Sequence, residues 1–306
     1  MTKKCLKCRK PEVCSGFCRS HFVRYFDQKV QRTVKKFSLF SRKDKVGVAV
    51  SGGKDSTVLL YVLKKLGYDV AGLTVDAFIG NYTKENLKNL KETCKKYGIK
   101  LKEISFKKEF GYSLCYIKSV LNKKGKKFSS CFICGVLRRY LINKYAREMK
   151  LDAIATGHTL DDEAQAFLMN IFRNDAVLAR RQGPVTGLGG NEHFVKRVKP
   201  LHLCSEKETT AYSKIMNFPV NYSRCPCSVD AYRRNFRNFL DEFEEKHPSV
   251  KYNILQFFLE TVYRQKEEKY NAKIMGYCSE CGEPAARGMC KACQIINELR
   301  NPATKQ

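Results

Sequence analysis

Ala49-Val-Ser-Gly-Gly-Lys-Asp-Ser56 is the stretch on which the reading of this chain turns. It ends Lys45–Val50 (KVGVAV), a short apolar, β-branched run of the kind that forms buried parallel strands. It leads into a helical pattern with Val58, Leu59, Val62, Leu63 and Leu66 on one side, stopped by Gly67. Strand, glycine pair and helix in that order make a phosphate cradle. Gly52 and Gly53 permit a tight turn that brings backbone N–H groups to phosphate oxygens, and the helix starting near Asp55 aims its positive end at the same point. Ser51 and Ser56 add hydroxyl donors, and Lys54 a neutralising charge. The spacing is not that of a Walker A loop.

Outward from this loop, strand-like and helix-like runs alternate. Asp69–Ile79, Lys100–Phe106 and Leu151–Gly157 read as further strands, with helical patterns ending at Tyr97 and covering Tyr112–Leu121 and Val136–Met149 between them. Short connections in this order predict an α/β fold, a parallel sheet with helices on both faces. Ala155–Gln165 (ATGHTLDDEAQ) follows the fourth strand, so Gly157 and His158 are expected at the carboxyl end of the sheet, facing a nucleotide crevice. Asp161 and Asp162 are expected to cap the next helix and to hold a magnesium ion on the phosphates. From about Ser205 the pattern is helical, over Glu206–Met216, Asp230–Lys246 and Lys251–Lys269.

Charge narrows the partners. The 306 residues carry 58 Lys and Arg against 30 Asp and Glu, a net charge of +28 spread along the whole chain. Such an excess repels itself unless a polyanion is near, and a broad basic face suits a large folded nucleic acid such as tRNA. No apolar run approaches the ~20 residues that span a bilayer, and Met1–Lys10 (MTKKCLKCRK) has no apolar stretch behind it, so neither membrane association nor a signal peptide is expected.

Fifteen cysteines without a secretory signal point to metal ligands or reactive thiols in a reducing, cytoplasmic setting. Cys5-x-x-Cys8 with Cys18-x-x-His21, and Cys278-x-x-Cys281 with Cys290-x-x-Cys293, are paired knuckles fitted to two structural zinc ions, although Cys14 competes with Cys18. Lysines and arginines around the first set place it on the RNA-binding face. Cys131-x-x-Cys134 is expected in a loop just before a helix and Cys225-Pro-Cys227 after the last strand; spacing alone leaves a redox pair, a zinc half-site or an iron–sulfur site open. Cys94, Cys115 and Cys204 have no spacing partner and read as core residues. The expected divisions are 1–26 and 273–306 as zinc modules, 27–44 as a linker helix, 45–218 as the α/β domain and 219–272 as a helical extension.

Ser51–Ser56 resembles the S-G-G-x-D-S loop of the PP-loop ATP pyrophosphatases, and Gly157–Asp162 the G-H-x-x-D-D segment of those that modify tRNA. Arg197–Leu201 (RVKPL) followed by Glu206 is similar to a segment late in such domains. Cys131-x-x-Cys134 followed by Gly135, Arg138 and Arg139, with Cys225-Pro further on, resembles the tRNA 2-thiouridine synthetases of the TtcA/TtuA/NcsA type, as do zinc fingers at both ends. The resemblance implies that ATP adenylates the C2 oxygen of a tRNA uridine and that sulfur replaces it. It implies that Cys131, Cys134 and Cys225 carry a 4Fe–4S cluster with one iron open, with Cys227 as the rival to Cys225. The family often has a lysine after the second cysteine. The guanidinium of Arg138 cannot act as a base there and is expected to clamp phosphate or an oxyanion. Asp55 and Asp161 are expected to position magnesium or the reacting groups.

The implied partners are tRNA and a sulfur donor, sulfide or a ubiquitin-like carrier; a homodimer is compatible with the group. Uridine 34 and uridine 54 are the candidate targets, and a composition unlike that of a hyperthermophile leans to 34. Two rival readings stand beside this one. A PP-loop synthetase with a small-molecule acceptor is opposed by the net charge and the paired knuckles, and a non-catalytic RNA-binding zinc protein by the intact SGGKDS and GHTLDD segments.

Overall fold

In the computed structural model, which describes residues 3–187, 193–223, 225–227, 231–264, 276–286 and 288–300, the strand Lys45–Ala49 (β1) lies inside a six-stranded sheet. The others are β2 (Asp69–Asp76), β3 (Lys100–Ser105), β4 (Ala153–Thr156), β5 (Val185–Thr186) and β6 (Lys196–Val198), in the order β3-β2-β1-β4-β6-β5. Strands β1 to β4 and β6 are parallel, as the alternation of strand and helix leads one to expect for β1 to β4; β6 is not among the strands read from the sequence. The edge strand β5 is antiparallel to β6, so the sheet is mixed; two residues are too few to carry a period that sequence reading can detect.

Alternation along the strands assigns the two faces. Val46 and Val48 with Ala153 and Ala155 point into a core shared with α1 (Arg19–Lys36), α2 (Lys54–Lys65), α3 (Gly80–Lys96) and α9 (Glu206–Ile215). Ile154 points the other way, toward Ala146 on α6 (Ser130–Glu148). A separate core joins Val75, Ile104 and the short α4 (Phe106–Phe110) to α5 (Leu114–Lys123), α6 and the C-terminal α12 (Lys291–Arg300). Helix α1 begins inside the first knuckle set and runs through the expected linker, burying Phe22, Phe26, Val30 and Val34.

Helix α7 (Leu160–Phe172) follows β4, and α8 (Ala176–Arg181) leads to β5. Helix α10 (Ala231–Lys246) and α11 (Val250–Phe257) pack on α7, and α11 continues as a π-helical stretch, Phe258–Tyr263. Residues 265–269 of the expected last helix lie outside the described residues. No helix among the described residues is long and apolar enough to cross a membrane.

Because β1 connects onward to β2 on one side and β4 lies on the other, the loops after β1 and β4 face each other where the strand order reverses. Open parallel sheets bind ligands in such a crevice.

Candidate functional site

The loop after β1 is held by its own hydroxyls. Ser51 N donates to Ser56 Oγ at 3.2 Å, Gly53 N to Ser51 Oγ at 3.4 Å, and Ser56 Oγ to Gly53 O at 3.1 Å. No side chain caps α2 at Gly53, which leaves its first amides for phosphate oxygens. Gly52 has φ +79°, and a Cβ there would meet Asn86 O at 2.6 Å. At Gly157 a Cβ would lie 2.9 Å from Ser56 N, so the loops after β1 and β4 touch only because that side chain is missing.

A cavity of about 710 Å³ opens above these loops. Ser51, Gly53, Asp55, Ser56, Gly157, His158 and Asp162 line it, which unites most of the expected nucleotide residues. The remaining wall is cationic: Arg138 and Arg139 from α6, Arg197 from β6, and Arg233, Arg234 and Arg237 from α10. Burial, with Arg139 close by, holds the Arg197 guanidinium down to about 10, and Arg138 Nε is buried without a protein partner. Six arginines against Asp55 and Asp162 suit a polyanionic ligand.

Two expected residues, Lys54 and Asp161, sit differently. Lys54 does not line the cavity: its ammonium is held by Asp55 at 2.9 Å and by Glu206 at 2.9 Å. Asp55 also accepts from Thr209 Oγ1, and burial raises its pKa against the pull of Lys54. Asp161 points away: one carboxylate oxygen accepts from Glu206 N at 2.6 Å and the other pairs with Lys251 at 2.8 Å. The cap of α7 is neither aspartate but Thr159, in a capping box with Asp162. Asp162 keeps a lowered pKa because Arg233 and His158 outweigh the desolvation that would raise it.

A second cavity, about 300 Å³, adjoins the first and shares Ser51, Cys131, Gly135 and Arg138 with it. Cys131, Cys134, Cys225 and Cys227 line it together, with Asp76, Tyr82 and Asn86 opposite. Cys131 and Cys134 lie in the first turn of α6 rather than in a loop before it, because Ser129 Oγ caps the helix by accepting from Phe132 N at 3.1 Å. Cys131 Sγ donates to Cys227 O at 3.6 Å. Burial, then Cys225 and Cys115, push the Cys227 thiol up to about 11. Cys115 is therefore not a core residue; it is exposed beside this group, while Cys94 and Cys204 are buried.

At the N-terminus the donor atoms of Cys5, Cys8, Cys18 and His21 all lie within 4.8 Å of one another, a fit to one tetrahedral ion. Cys14 faces Ser15 Oγ instead, which leaves Cys18 as the donor. Cys278, Cys281, Cys290 and Cys293 form the second such set, and amides around Cys278 bring its pKa down to about 6 against burial, as a thiolate ligand requires. Cys131, Cys134 and Cys225 line the wall of the second cavity. The second set is anchored to α6: Glu283 accepts from Asn143 at 2.6 Å and pairs with Arg147.

His202 is fully buried with neither ring nitrogen hydrogen-bonded; its Nδ1 is 3.7 Å from Glu163 Oε2. Burial lowers its pKa to about 4. The folded chain therefore keeps His202 neutral where the unfolded chain, near 6.5, takes up a proton. Stability is full above about 6.5 and is lost as pH falls toward 4, by up to roughly 3 kcal/mol. Melting temperature followed from pH 7 to 4 is expected to fall more steeply for the wild type than for His202→Asn; equal slopes would refute the assignment.

Sequence reasoning quoted Arg139 and Arg197 within motifs without giving them a role, and missed the three arginines of α10. Arg233, Arg234 and Arg237 at helical spacing carried a signal, yet nothing local ties that helix to the loop after β1.

A model of the PP-loop domain family matches residues 25–240. The tRNA-5-methyluridine(54) 2-sulfurtransferase of Pyrococcus horikoshii is 34% identical over 278 residues, 91% of this chain and 86% of that protein. The enzyme of the same name from Thermotoga maritima is 33% identical over 308 residues, 99% of each chain. Cytoplasmic tRNA 2-thiolation protein 1 of Drosophila ananassae is 32% identical over 303 residues, 97% of this chain and 86% of that one. Among solved structures, the U34-tRNA thiolase NcsA from Methanococcus maripaludis with its 4Fe–4S cluster superposes with a TM-score of 0.80 at 29% identity, over 98% of this chain and 97% of that one.

Proposed function

The chain belongs to the PP-loop family and within it groups with the tRNA 2-sulfurtransferases, and on that premise we infer that it uses ATP to replace the C2 oxygen of a tRNA uridine with sulfur. One observation carries this reading: the cavity at the SGGKDS loop and the cavity lined by the cysteines share Ser51, Cys131, Gly135 and Arg138. A base held at that junction reaches both an activated phosphate and a sulfur.

In the first step the uridine O2 attacks the α-phosphorus of ATP and pyrophosphate leaves. The amides and hydroxyls of Ser51–Ser56 hold the polyphosphate, and Asp55 and Asp162 would hold a magnesium ion on it. His158 lines the same wall, and Arg138 neutralises charge on the transferring phosphoryl group. Such a reaction requires chiefly positioning and charge compensation. Cys131, Cys134 and Cys225 would hold a 4Fe–4S cluster, which would bind sulfur from the donor for attack on C2, the C2–O bond breaking as AMP leaves. Asp161 belongs to the packing of α7 against α9 and α11 rather than to the reaction. Zinc fills the two terminal sets, and the first set, with its lysines, contacts the RNA. The sulfur donor is sulfide or the thiocarboxylate of a ubiquitin-like carrier, and the setting is the cytoplasm. The catalytic unit is 45–218, with 219–272 as its helical extension.

Uridine 34 is the target we favour, in keeping with the U34-tRNA thiolase of Methanococcus maripaludis. Uridine 54 is the second reading, supported by the enzymes of Pyrococcus and Thermotoga. Anaerobic enzyme, ATP and sulfide with tRNA transcripts bearing U34→C or U54→C will decide, by nucleoside mass spectrometry. We expect 2-thiouridine in all but the U34→C transcript. Loss only with U54→C selects the second reading, and no thiolated uridine in any transcript refutes the function.

A further inference from the structure

We propose that Arg233 and Arg237 of α10 bind the pyrophosphate end of ATP and hold it as it leaves. This rests on the reading of the first cavity as the ATP site and adds residues that lie beyond the SGGKDS and GHTLDD segments.

The geometry is specific. Arg233 Nη2 is 2.6 Å from Asp162 Oδ1, and its Nε donates to Gln165 Oε1 at 3.4 Å, which aims the guanidinium at the cavity wall. Arg237 pairs with Glu206 Oε2, while Glu206 Oε1 holds Lys54. The lysine of the loop after β1 is thus committed to Asp55 and Glu206, and the cations that line the cavity are arginines. Arg233 sits against Asp162, which lines the cavity, and Arg237 against Glu206, which also holds Lys54 of the loop.

When magnesium takes Asp162, Arg233 loses its counter-charge there and gains the β- and γ-phosphate oxygens. In the transfer a lone pair of uridine O2 forms the new bond to the α-phosphorus. The bond from that phosphorus to the bridging oxygen breaks, and its electrons leave with pyrophosphate. The charge that develops lies on the leaving group, where two planar guanidinium forks bind phosphate in bidentate fashion. Arg237, one helical turn on from Arg233, lines the same cavity.

Magnesium pyrophosphate titrated calorimetrically into the full, anaerobically purified chain is the test, with Arg233→Ala, Arg237→Ala and the two lysine variants. We expect pyrophosphate affinity to fall on the order of tenfold or more per alanine, with partial recovery in lysine. The KM for ATP should rise with the pyrophosphate inhibition constant, while tRNA affinity and melting temperature stay near wild type. Unchanged pyrophosphate binding overturns the proposal. So does a pattern in which only tRNA affinity falls, since the arginines would then contact the RNA backbone. Because the titration contains no tRNA, failure of the wild type to thiolate would refute the function without touching this result.

Discussion

Cys131→Ala, Cys134→Ala and Cys225→Ala are each expected to lower iron from about four per chain to near zero, while zinc stays near two. Thiolation should fall on the order of a thousandfold or beyond detection, yet ATP binding should survive, because the loop Ser51–Ser56 is held by its own hydroxyls and not by the thiols. Cys131 is exposed and Cys134 part-buried in the first turn of α6, so neither truncation leaves a large hole in the core. Cys227→Ala is the control. It lines the same cavity but is expected to keep its iron. Iron and zinc measured on protein purified without oxygen give the answer. Iron lost in Cys227→Ala but kept in Cys225→Ala would exchange the two assignments, and iron absent from the wild type would remove the cluster altogether.

Gly52→Ala should be almost as severe, for a different reason. Its φ of +79° is strained for any L side chain, and the new Cβ would press on Asn86 O at 2.6 Å and Asn86 Cβ at 2.7 Å. Left-handed backbone and overpacking together cost roughly 2–4 kcal/mol, a drop in melting temperature on the order of 5–10 °C. The shifted loop would also misplace the amides of α2, so kcat/KM for ATP is expected to fall at least about a hundredfold. Gly53→Ala separates the two effects: a Cβ there meets only Ser51 Oγ at 3.4 Å, so melting should hold while ATP binding weakens modestly. A Gly52→Ala protein that melts and binds ATP like the wild type would contradict the geometry.

These two glycines mark the limit of what was legible. Adjacent in one motif, they read alike in sequence; only their backbone angles, φ +79° against −79°, and the approach of α3 through Asn86 tell them apart. The aspartate pair of the GHTLDD segment behaves the same way. The spacing placed both at the head of α7, but helical geometry turns Asp162 to the cavity and Asp161 to Lys251 and the amide of Glu206.

The four main strands, the phosphate loop and the two terminal donor sets could be read directly, because period, glycine spacing and knuckle spacing are local and act within a few residues. The cationic wall of the cavity, the junction at Arg138 and Cys131, the exposed Cys115 beside Cys227 and the commitment of Lys54 to Glu206 belong to the folded chain alone. Each depends on α5, α6, α9 or α10 packing against a segment far away in sequence. Charge pairing over such separations follows from packing and leaves no period in the chain.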